Sequence, residues 1–249
     1  MTNKFVFVTP AFNCQDAITQ TIHSMMSQSY KNWRAIIIND ISTDKTLETI
    51  KAVTAGTVFA DRFTVIDNLE KMGEVRNTLQ AIDQIDDDEI VCRVDGGDWL
   101  TENDTLWMLD TVYKNDAVDV VWTSHRWSYT PQNISGPLLL SERQTVYQHP
   151  WVSSHMKTFR CKRLRSVPDG NFRDVEGNYI TIACDQAVFL PMMHMSLQEK
   201  RLVGHLPVVC YHYSIDLHDK NLFTSDRSIR QKNSAEWIRS RGFVYESSP

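Results

Sequence analysis

Short runs of consecutive apolar residues recur along the first half of the chain. They predict strands at FVFVT (5–9), WRAIII (33–38), FTVI (63–66), IVCRV (90–94) and DVVW (119–122). Apolar side chains on consecutive positions indicate strands that are covered on both faces, as in a parallel sheet. We expect Pro10 to end the first of these strands, because proline has no backbone N–H to donate.

Between these runs, apolar residues recur three or four positions apart, which is the spacing of an amphipathic helix. This spacing predicts helices over residues 16–27, around Leu47 and Ile50, from just after Gly73 to Ile82, and over residues 106–113. Strands that alternate with helices form right-handed crossovers and a doubly wound, mostly parallel sheet. Ligands of such α/β sheets bind beyond the carboxyl ends of the strands.

The pattern becomes less regular after residue 122. We interpret residues 123–150 as a loop, and an aromatic and basic segment follows at 149–165. A helix is predicted within residues 179–195, a strand over 207–213, and a surface helix in the tail that begins at Ser225. The fold class is therefore α/β, with a less regular C-terminal half in the same domain.

The composition supports one globular domain. The chain has 249 residues, of which 42% are hydrophobic and 23% charged, and this is enough for one large α/β core. No apolar run approaches the roughly 20 residues of a membrane span, so we expect no transmembrane segment and a cytoplasmic location. The five cysteines form no CxxC pair, which indicates neither a disulfide framework nor a zinc site.

Charge is distributed unevenly along the chain. Residues 1–124 contain 10 basic and 20 acidic residues, whereas residues 125–249 contain 16 and 11, giving −10 and +5 within a net charge of −5. A basic second half could hold a polyanionic acceptor, although scattered surface charge is the commoner meaning of such a difference.

The segment from Asp95 to Asp98 carries the strongest chemical signal. An apolar strand ends there in two carboxylates that are separated by two glycines. Carboxylates are hard oxygen ligands that suit Mg²⁺ or Mn²⁺, and glycines allow the phosphates of a ligand to approach the backbone. The same residues also make ordinary tight turns.

Four segments taken together resemble the family 2 glycosyltransferases of the GT-A fold, in the order that the family has them. Residues 9–13 resemble the P-T-Y-N segment, and residues 39–44 resemble the D-D-G-S-T-D turn. Residues 72–77 resemble the helix start G-x-x-x-A-R-N, and residues 95–100 resemble D-A-D-D-W-L. The resemblance is clear over residues 5–122.

The resemblance implies a GT-A (Rossmann-like) fold in which residues 1–122 bind a UDP-sugar and residues 123–249 bind the acceptor. It assigns donor-binding roles to Thr9, Pro10, Ala11, Asn13, Asp40, Lys71, Arg76 and Asp95. A carboxylate can accept the uracil imide N–H or a ribose hydroxyl, and a guanidinium matches phosphate geometry. The competing interpretation of Asp40 is a helix cap or an Asx turn.

The resemblance also implies a divalent metal, Mn²⁺ or Mg²⁺, that neutralises charge on the departing UDP. Asp98 matches the family's metal ligand, while Gly97 stands where the family usually has another acid. His212 is the expected third ligand, with His205 and His218 as alternatives, and a neutral imidazole suits Mn²⁺ better than Mg²⁺.

The family's general base is an aspartate on a late helix, and Asp185 is the best match. The competing interpretation is that Asp185 caps this helix. Trp151, His155 and the basic residues of 157–165 are expected near the acceptor channel, where aromatic rings could stack on a sugar and cations could meet phosphates.

These roles define an inverting glycosyltransferase that moves a sugar from a UDP-sugar to an acceptor hydroxyl. The acceptor is either a glycan or lipopolysaccharide intermediate, or a hydroxylated base in bacteriophage DNA. Two alternatives share the fold. One is a non-catalytic nucleotide-binding module, suggested by Gly97, and the other is a nucleotidyltransferase.

Overall fold

The computed structural model describes residues 2–127, 133–214 and 226–245. Eight strands form one sheet in the spatial order β3-β2-β1-β4-β7-β6-β8-β5. The strands are β1 (Phe5–Ala11), β2 (Trp33–Asn39), β3 (Phe63–Asp67), β4 (Ile90–Arg93), β5 (Trp99–Leu100), β6 (Val118–Trp127), β7 (Lys157–Arg160) and β8 (Leu202–Tyr213).

Helices pack on both faces of the sheet. They are α1 (Ile18–Met26), α2 (Thr46–Ala55), α3 (Gly73–Ile82), α4 (Thr105–Tyr113), α5 (Cys161–Arg165), α6 (Cys184–Gln198) and α7 (Asp226–Arg241), with short 3₁₀ helices at Ala60–Arg62 and Asp169–Phe172. Within the described ranges, no helix has both the length and the apolar character needed to cross a membrane.

The sheet is mostly parallel, as predicted. Strands β3, β2, β1 and β4 are parallel neighbours, and β8 is parallel to β6. Strand β7 lies between β4 and β6 and is antiparallel to both, and β5 is antiparallel to β8. The carboxyl ends of β1, β2, β3 and β4 therefore meet at one edge of the sheet, where the predicted site residues lie.

Alternate residues of each buried strand enter different hydrophobic cores. Phe5 and Phe7 of β1 pack toward α4, and Val6 and Val8 pack toward α3 and α6. All four side chains have 0% exposure, which explains why the strands show consecutive apolar residues. Burying each such side chain stabilises the fold by roughly 1.5–3 kcal/mol.

The ends of strands β1 and β6 differ from the predictions. Strand β1 continues through Pro10 to Ala11, because the missing N–H would point toward β4, whose ladder with β1 ends at Arg93. Residues 123–127 continue strand β6, although they were expected to form a loop. This part of β6 was missed because its buried side chains include Thr123, Ser124 and His125, which are polar.

The aromatic and basic segment 149–165 also contains unpredicted structure, namely β7 and α5. Strand β6 crosses residue 122, where the two halves were divided, and the single sheet takes strands from both sides of that point. The assignment of donor binding to one half and acceptor binding to the other stays a prediction.

Candidate active site

The two glycines after β4 are required by the protein's own backbone. A Cβ atom at Gly96 would lie 2.9 Å from Cα of Ala11 and 3.0 Å from the carbonyl oxygen of Pro10. Gly97 has φ of 103°, a conformation that residues with a side chain rarely adopt. The close approach of strand β1 thus explains the glycine at 96 without a ligand, and the approach of phosphates to this backbone stays a prediction.

Asp95, Asp98 and His155 form one group, and their potential ligand atoms lie within 4.8 Å of one another. Asp98 is 4% exposed and accepts hydrogen bonds from the Tyr211 hydroxyl at 2.8 Å and the Ser214 N–H at 2.8 Å. The Asp95 N–H donates to the same Tyr211 hydroxyl at 3.0 Å. The Tyr211 side chain therefore links the two acids.

The three groups have strongly perturbed pKa values. Burial, reinforced by the charge of Asp95, raises the pKa of Asp98 to about 8. Burial works against ionisation of Asp95, but Arg93, His155 and Lys157 outweigh it and lower its pKa to about 2. Burial, followed by the charge of Lys157, lowers the pKa of His155 to about 3. The imidazole is therefore neutral at physiological pH.

This donor set fits a divalent cation. It offers an ionised carboxylate, a second carboxylate that a cation would help to ionise, and a neutral imidazole. Carboxylate oxygens suit Mg²⁺ and Mn²⁺ alike, and the imidazole favours Mn²⁺. Among the described residues, no other group of three acidic, histidine or cysteine ligands lies as close together.

Two buried cations lie beside this group. The Arg93 guanidinium lies 2.9 Å from Asp95 Oδ1 and 2.8 Å from Glu74 Oε1. The Lys157 ammonium lies 2.9 Å from Asp185 Oδ2. Register places Lys157 directly opposite Arg93 in the antiparallel pair β4–β7, so both cations project from neighbouring central strands.

Asp185 lies in the first turn of α6. The N-cap of this helix is Ala183, with φ of 57° and no capping side chain, and the carboxylate of Asp185 contacts Lys157 instead. This arrangement does not match the capping interpretation. Through Lys157, the predicted base is joined to the group of Asp95, Asp98 and His155.

Asp40 has a different environment. Its carboxylate is 3% exposed and accepts hydrogen bonds from the N–H groups of Met72 at 2.8 Å and Gly73 at 3.0 Å. The Asn68 amide donates at 2.9 Å, and the Lys71 ammonium lies 3.3 Å away. Burial raises the pKa of Asp40, but these donors outweigh it and the net shift is downward. The carboxylate thus caps the start of α3, and nucleotide contact by Asp40 stays a prediction.

The loop after β1 contacts the turn after β2. The Thr43 N–H donates to Asn13 Oδ1 at 2.8 Å, and the Asn13 N–H donates to the Ser42 hydroxyl at 3.1 Å. Phe12 is 49% exposed between these polar contacts, and the Lys71 ammonium lies 2.9 Å from its ring centroid. Phe12 was not among the expected donor-binding residues, although the motif 9–13 contains it. The remaining motif side chains Thr9 and Ala11 are buried in β1, and Pro10 is partly buried.

Arg76 and His212 do not join the carboxylate–histidine group. Arg76 lies 3.2 Å from Glu70 and above the Tyr179 ring, and it lines a cavity of about 440 Å³ between α3, α5 and the 3₁₀ helix at Asp169–Phe172. The His212 ring stacks on Trp99 with centroids 3.9 Å apart. Of its two alternatives, His205 contacts the Ser124 hydroxyl at 3.0 Å, and His218 lies outside the described residues.

The histidine that lies beside Asp95 and Asp98 is His155, which was expected only near the acceptor channel, as was Lys157. Metal binding by His212 stays a prediction. Arg160 does not face that channel, because its guanidinium donates to the carbonyls of Val118 and Tyr113 at 2.8 Å each. Arg163 is likewise buried, with Asp119 2.8 Å away. These two arginines stabilise the interior rather than a surface for phosphates.

The fold is that of the GT-A glycosyltransferases. The first 349 residues of S. aureus TarS, solved with UDP-GlcNAc, superpose with a TM-score of 0.67 at 16% identity, covering 98% of this chain and 68% of that chain. A mannosyltransferase from Pyrobaculum calidifontis, in complex with GDP-Man and Mn²⁺, superposes with a TM-score of 0.62 at 14% identity, covering 90% of this chain and 60% of that chain.

The family model "Glycosyl transferase family 2" matches residues 6–167, and the chain belongs to this family of glycosyltransferases. The hyaluronan synthase of Pasteurella multocida is 24% identical over 229 residues, or 90% of this chain and 21% of that protein. The Escherichia coli glucosyltransferase WfaP, which acts with UDP-Glc, is 46% identical over 43 residues, or 17% of each. The matches cover about a fifth of these relatives or less.

Proposed function

We propose that the protein transfers a sugar with inversion from a UDP-sugar to an acceptor hydroxyl, using a divalent metal at Asp95, Asp98 and His155. The observation that carries the proposal is this compact group at the carboxyl edge of the sheet, with Asp185 joined to it by Lys157. The relative TarS was solved with UDP-GlcNAc, and the P. calidifontis mannosyltransferase with Mn²⁺, which supports both parts of the proposal.

The donor would lie along the loops after β1, β2 and β4. The exposed ring of Phe12 provides a surface on which a planar base can stack, and Lys71 beside it supplies a positive charge for the diphosphate. Asn13 has backbone and side-chain polar groups at the same edge. When bound, the metal would neutralise the charge that develops on UDP.

Asp185 would act as the base. Its carboxylate takes the proton of the acceptor hydroxyl while the oxygen forms a bond to the anomeric carbon, on the face opposite UDP. The bond from that carbon to the diphosphate oxygen breaks, and its electron pair leaves with UDP. A positioned base contributes about 10² to 10⁴ in rate.

We favour a glycan over a nucleic acid as the acceptor. The basic second half of the chain and the lack of a membrane helix supported the DNA interpretation. Within the basic segment 157–165, however, Lys157, Arg160 and Arg163 are buried and paired with acids or carbonyls. Few of its charges therefore remain for phosphates. Transfer to a glycan should change little with salt, whereas binding to DNA falls steeply as salt rises.

The test is a screen of UDP-sugars for Mn²⁺-dependent donor hydrolysis, with the chelated protein and the Asp185→Asn variant as controls. We expect turnover of at least one UDP-sugar by the wild type with Mn²⁺ and little in either control. UDP binding without turnover of any donor would indicate a non-catalytic module. Tighter binding of a nucleoside triphosphate than of UDP-sugars would indicate a nucleotidyltransferase.

A further inference from the structure

Lys157 is a lysine in an unusual position, because it is only 2% exposed on a central strand. Its ammonium lies 2.9 Å from Asp185 Oδ2 and 3.4 Å from His155 Nδ1, and it lies 5.5 Å from the centroid of the Phe189 ring. Removing an ammonium from water is unfavourable by several kcal/mol unless it is paired. The pairing with Asp185 and His155 therefore offsets the free-energy cost of burying the ammonium.

The location of Lys157 follows from the sheet. It is the first residue of β7 and pairs with Arg93 of β4 on one side and Trp122 of β6 on the other. Side chains alternate along a strand, so Lys157 and Phe159 project toward α6 while Arg160 projects toward α4. Lys157 is thus held by a rigid element, whereas Asp185 lies at the start of a helix and is 29% exposed.

The ammonium of Lys157 determines which hydrogen bonds its neighbours His155 and Asp185 can make. An ammonium only donates hydrogen bonds, so in the metal-free protein Nδ1 of His155 accepts and the ring hydrogen lies on Nε2. Nδ1 also lies 4.0 Å from Asp95 Oδ2, so a cation bound there would take the lone pair of this nitrogen in place of the ammonium. The contact between Lys157 and Asp185 occupies Oδ2 of the carboxylate and leaves Oδ1 to accept a proton. One side chain therefore contacts both the expected base and the imidazole of the metal group.

We propose that Lys157 is a positioning residue, whose ammonium fixes the Asp185 carboxylate as base and, before a cation binds, keeps His155 as the neutral Nε2–H tautomer whose Nδ1 can serve as the ligand. This inference rests on the proposed function, because it assigns Lys157 a role in that reaction. Without Lys157, the partly exposed carboxylate of Asp185 can turn toward solvent. Misplacing a catalytic group by about 1 Å can lower the rate about 10²-fold.

The experiment compares Lys157→Met, Lys157→Arg and Arg160→Met. Arg160→Met is the matched control, since it removes a second buried cation from the same strand but on the opposite face. For each protein we would measure kcat and KM for the UDP-sugar that the wild type turns over, UDP affinity with Mn²⁺, and Tm. Lys157→Gln replaces the methionine variant if that variant does not fold.

We expect Lys157→Met to lower kcat about 100-fold with donor KM and UDP affinity within about threefold of wild type. Lys157→Arg should recover most of the loss, because it restores the charge. Arg160→Met should lower Tm but leave kcat within about threefold. A kcat within threefold of wild type in Lys157→Met, an equal loss in Arg160→Met, or no recovery in Lys157→Arg would overturn the proposal.

A second readout does not need activity. The ¹⁵N shifts of the His155 ring in metal-free protein should report the Nε2–H tautomer in the wild type and a mixture of tautomers in Lys157→Met. Finding the Nδ1–H tautomer in the wild type would show that Lys157 does not donate a hydrogen bond to His155 Nδ1. A wild type that turns over no UDP-sugar would instead contradict the proposed function. The tautomer of His155 would still show whether Lys157 donates a hydrogen bond to it.

Discussion

Asp40 follows β2 and Asp98 lies in the loop after β4, so both acids lie at the carboxyl edge of the sheet. They are equally buried, at 3% and 4% exposure, yet their pKa values are shifted in opposite directions. Asp40 receives two backbone N–H groups, an amide and an ammonium, and its pKa is lowered. Asp98 receives one hydroxyl and one N–H and lies beside Asp95, and its pKa is raised to about 8.

We infer from this difference that Asp40 stabilises the fold and that Asp98 is the acid available to a ligand. A carboxylate whose oxygens are all occupied by donors is stabilised in its charged form and has little capacity left for a ligand. A buried carboxylate next to another acid is destabilised in its charged form until a cation arrives. Both acids match motifs of the family, so the motif alone could not distinguish them.

The largest expected effect is that of Asp185→Asn. Removing the base while keeping its size should lower transfer by about 10² to 10⁴. UDP affinity in Mn²⁺ should stay near that of the wild type, because the side chain does not contact the expected donor loops. Steady-state kinetics and UDP titration measure the two properties separately, and full activity in this variant would remove Asp185 as the base.

Asp98→Asn should weaken Mn²⁺-dependent UDP binding by about 10- to 100-fold, since it removes a charged ligand from the group with Asp95 and His155. The dependence of turnover on Mn²⁺ concentration measures this loss. Asp104→Asn, at the exposed start of α4, is the control and should leave the metal dependence unchanged. An unaltered Mn²⁺ requirement in Asp98→Asn would contradict the assignment of this ligand.

Asp40→Asn should act on stability instead. The amide would present an N–H₂ group to the donors at the start of α3, so we expect a loss of about 2 kcal/mol in the free energy of unfolding. Urea unfolding measures it, with exposed Asp83→Asn at the other end of α3 as the control. A normal stability together with lost UDP binding would show that Asp40 binds the nucleotide rather than stabilising the fold.

The smallest effect is a pH dependence of the metal-free protein. The folded pKa of Asp98, about 8, is above its ordinary value of 3.8, so the folded state holds this proton more tightly and loses stability as pH rises between these values. His125 and His155 have lowered pKa values of about 4 and about 3, and they act in the opposite sense below their ordinary 6.5.

Between about pH 7 and about pH 8 these histidines contribute little, and the acids that still release protons include Asp98 and Glu74, whose pKa is raised to about 7 by burial. The loss is at most about 1.4 kcal/mol per pH unit for each acid, so the comparison with Asp98→Asn identifies the share of Asp98. Tm measured in chelator across this interval should fall for the wild type and change less for Asp98→Asn. Equal slopes for the two proteins would indicate that Asp98 is not the titrating group.

The strands and helices of the first half could be predicted because each has a regular apolar pattern and short connections. The site needed information that the sequence does not carry locally. His155 and Lys157 reach Asp95 because β7 inserts antiparallel between β4 and β6, and residues 60 or more positions apart become neighbours. The apolar pattern of the sequence does not predict the position of β7 in the sheet or its register with β4.

Ile41 shows another limit. It has φ of 58°, a strained conformation for a β-branched residue, at the position where the family's D-D-G-S-T-D turn has glycine. The family pattern predicts the turn, but isoleucine in place of glycine gives no sign of the positive φ at this position. Gly97 is the converse case, since its φ of 103° accounts for the glycine that stands in place of an acid.

The central claim is that the group of Asp95, Asp98 and His155 binds a metal with the nucleotide, while Asp40 serves the fold. Calorimetric titration of UDP into the wild type and into Asp40→Asn, each with Mn²⁺ and with chelator, tests it directly. We predict that Mn²⁺ tightens UDP binding at least about tenfold, or about 1.4 kcal/mol, in both proteins. The same UDP affinity with Mn²⁺ and with chelator in the wild type would contradict the account.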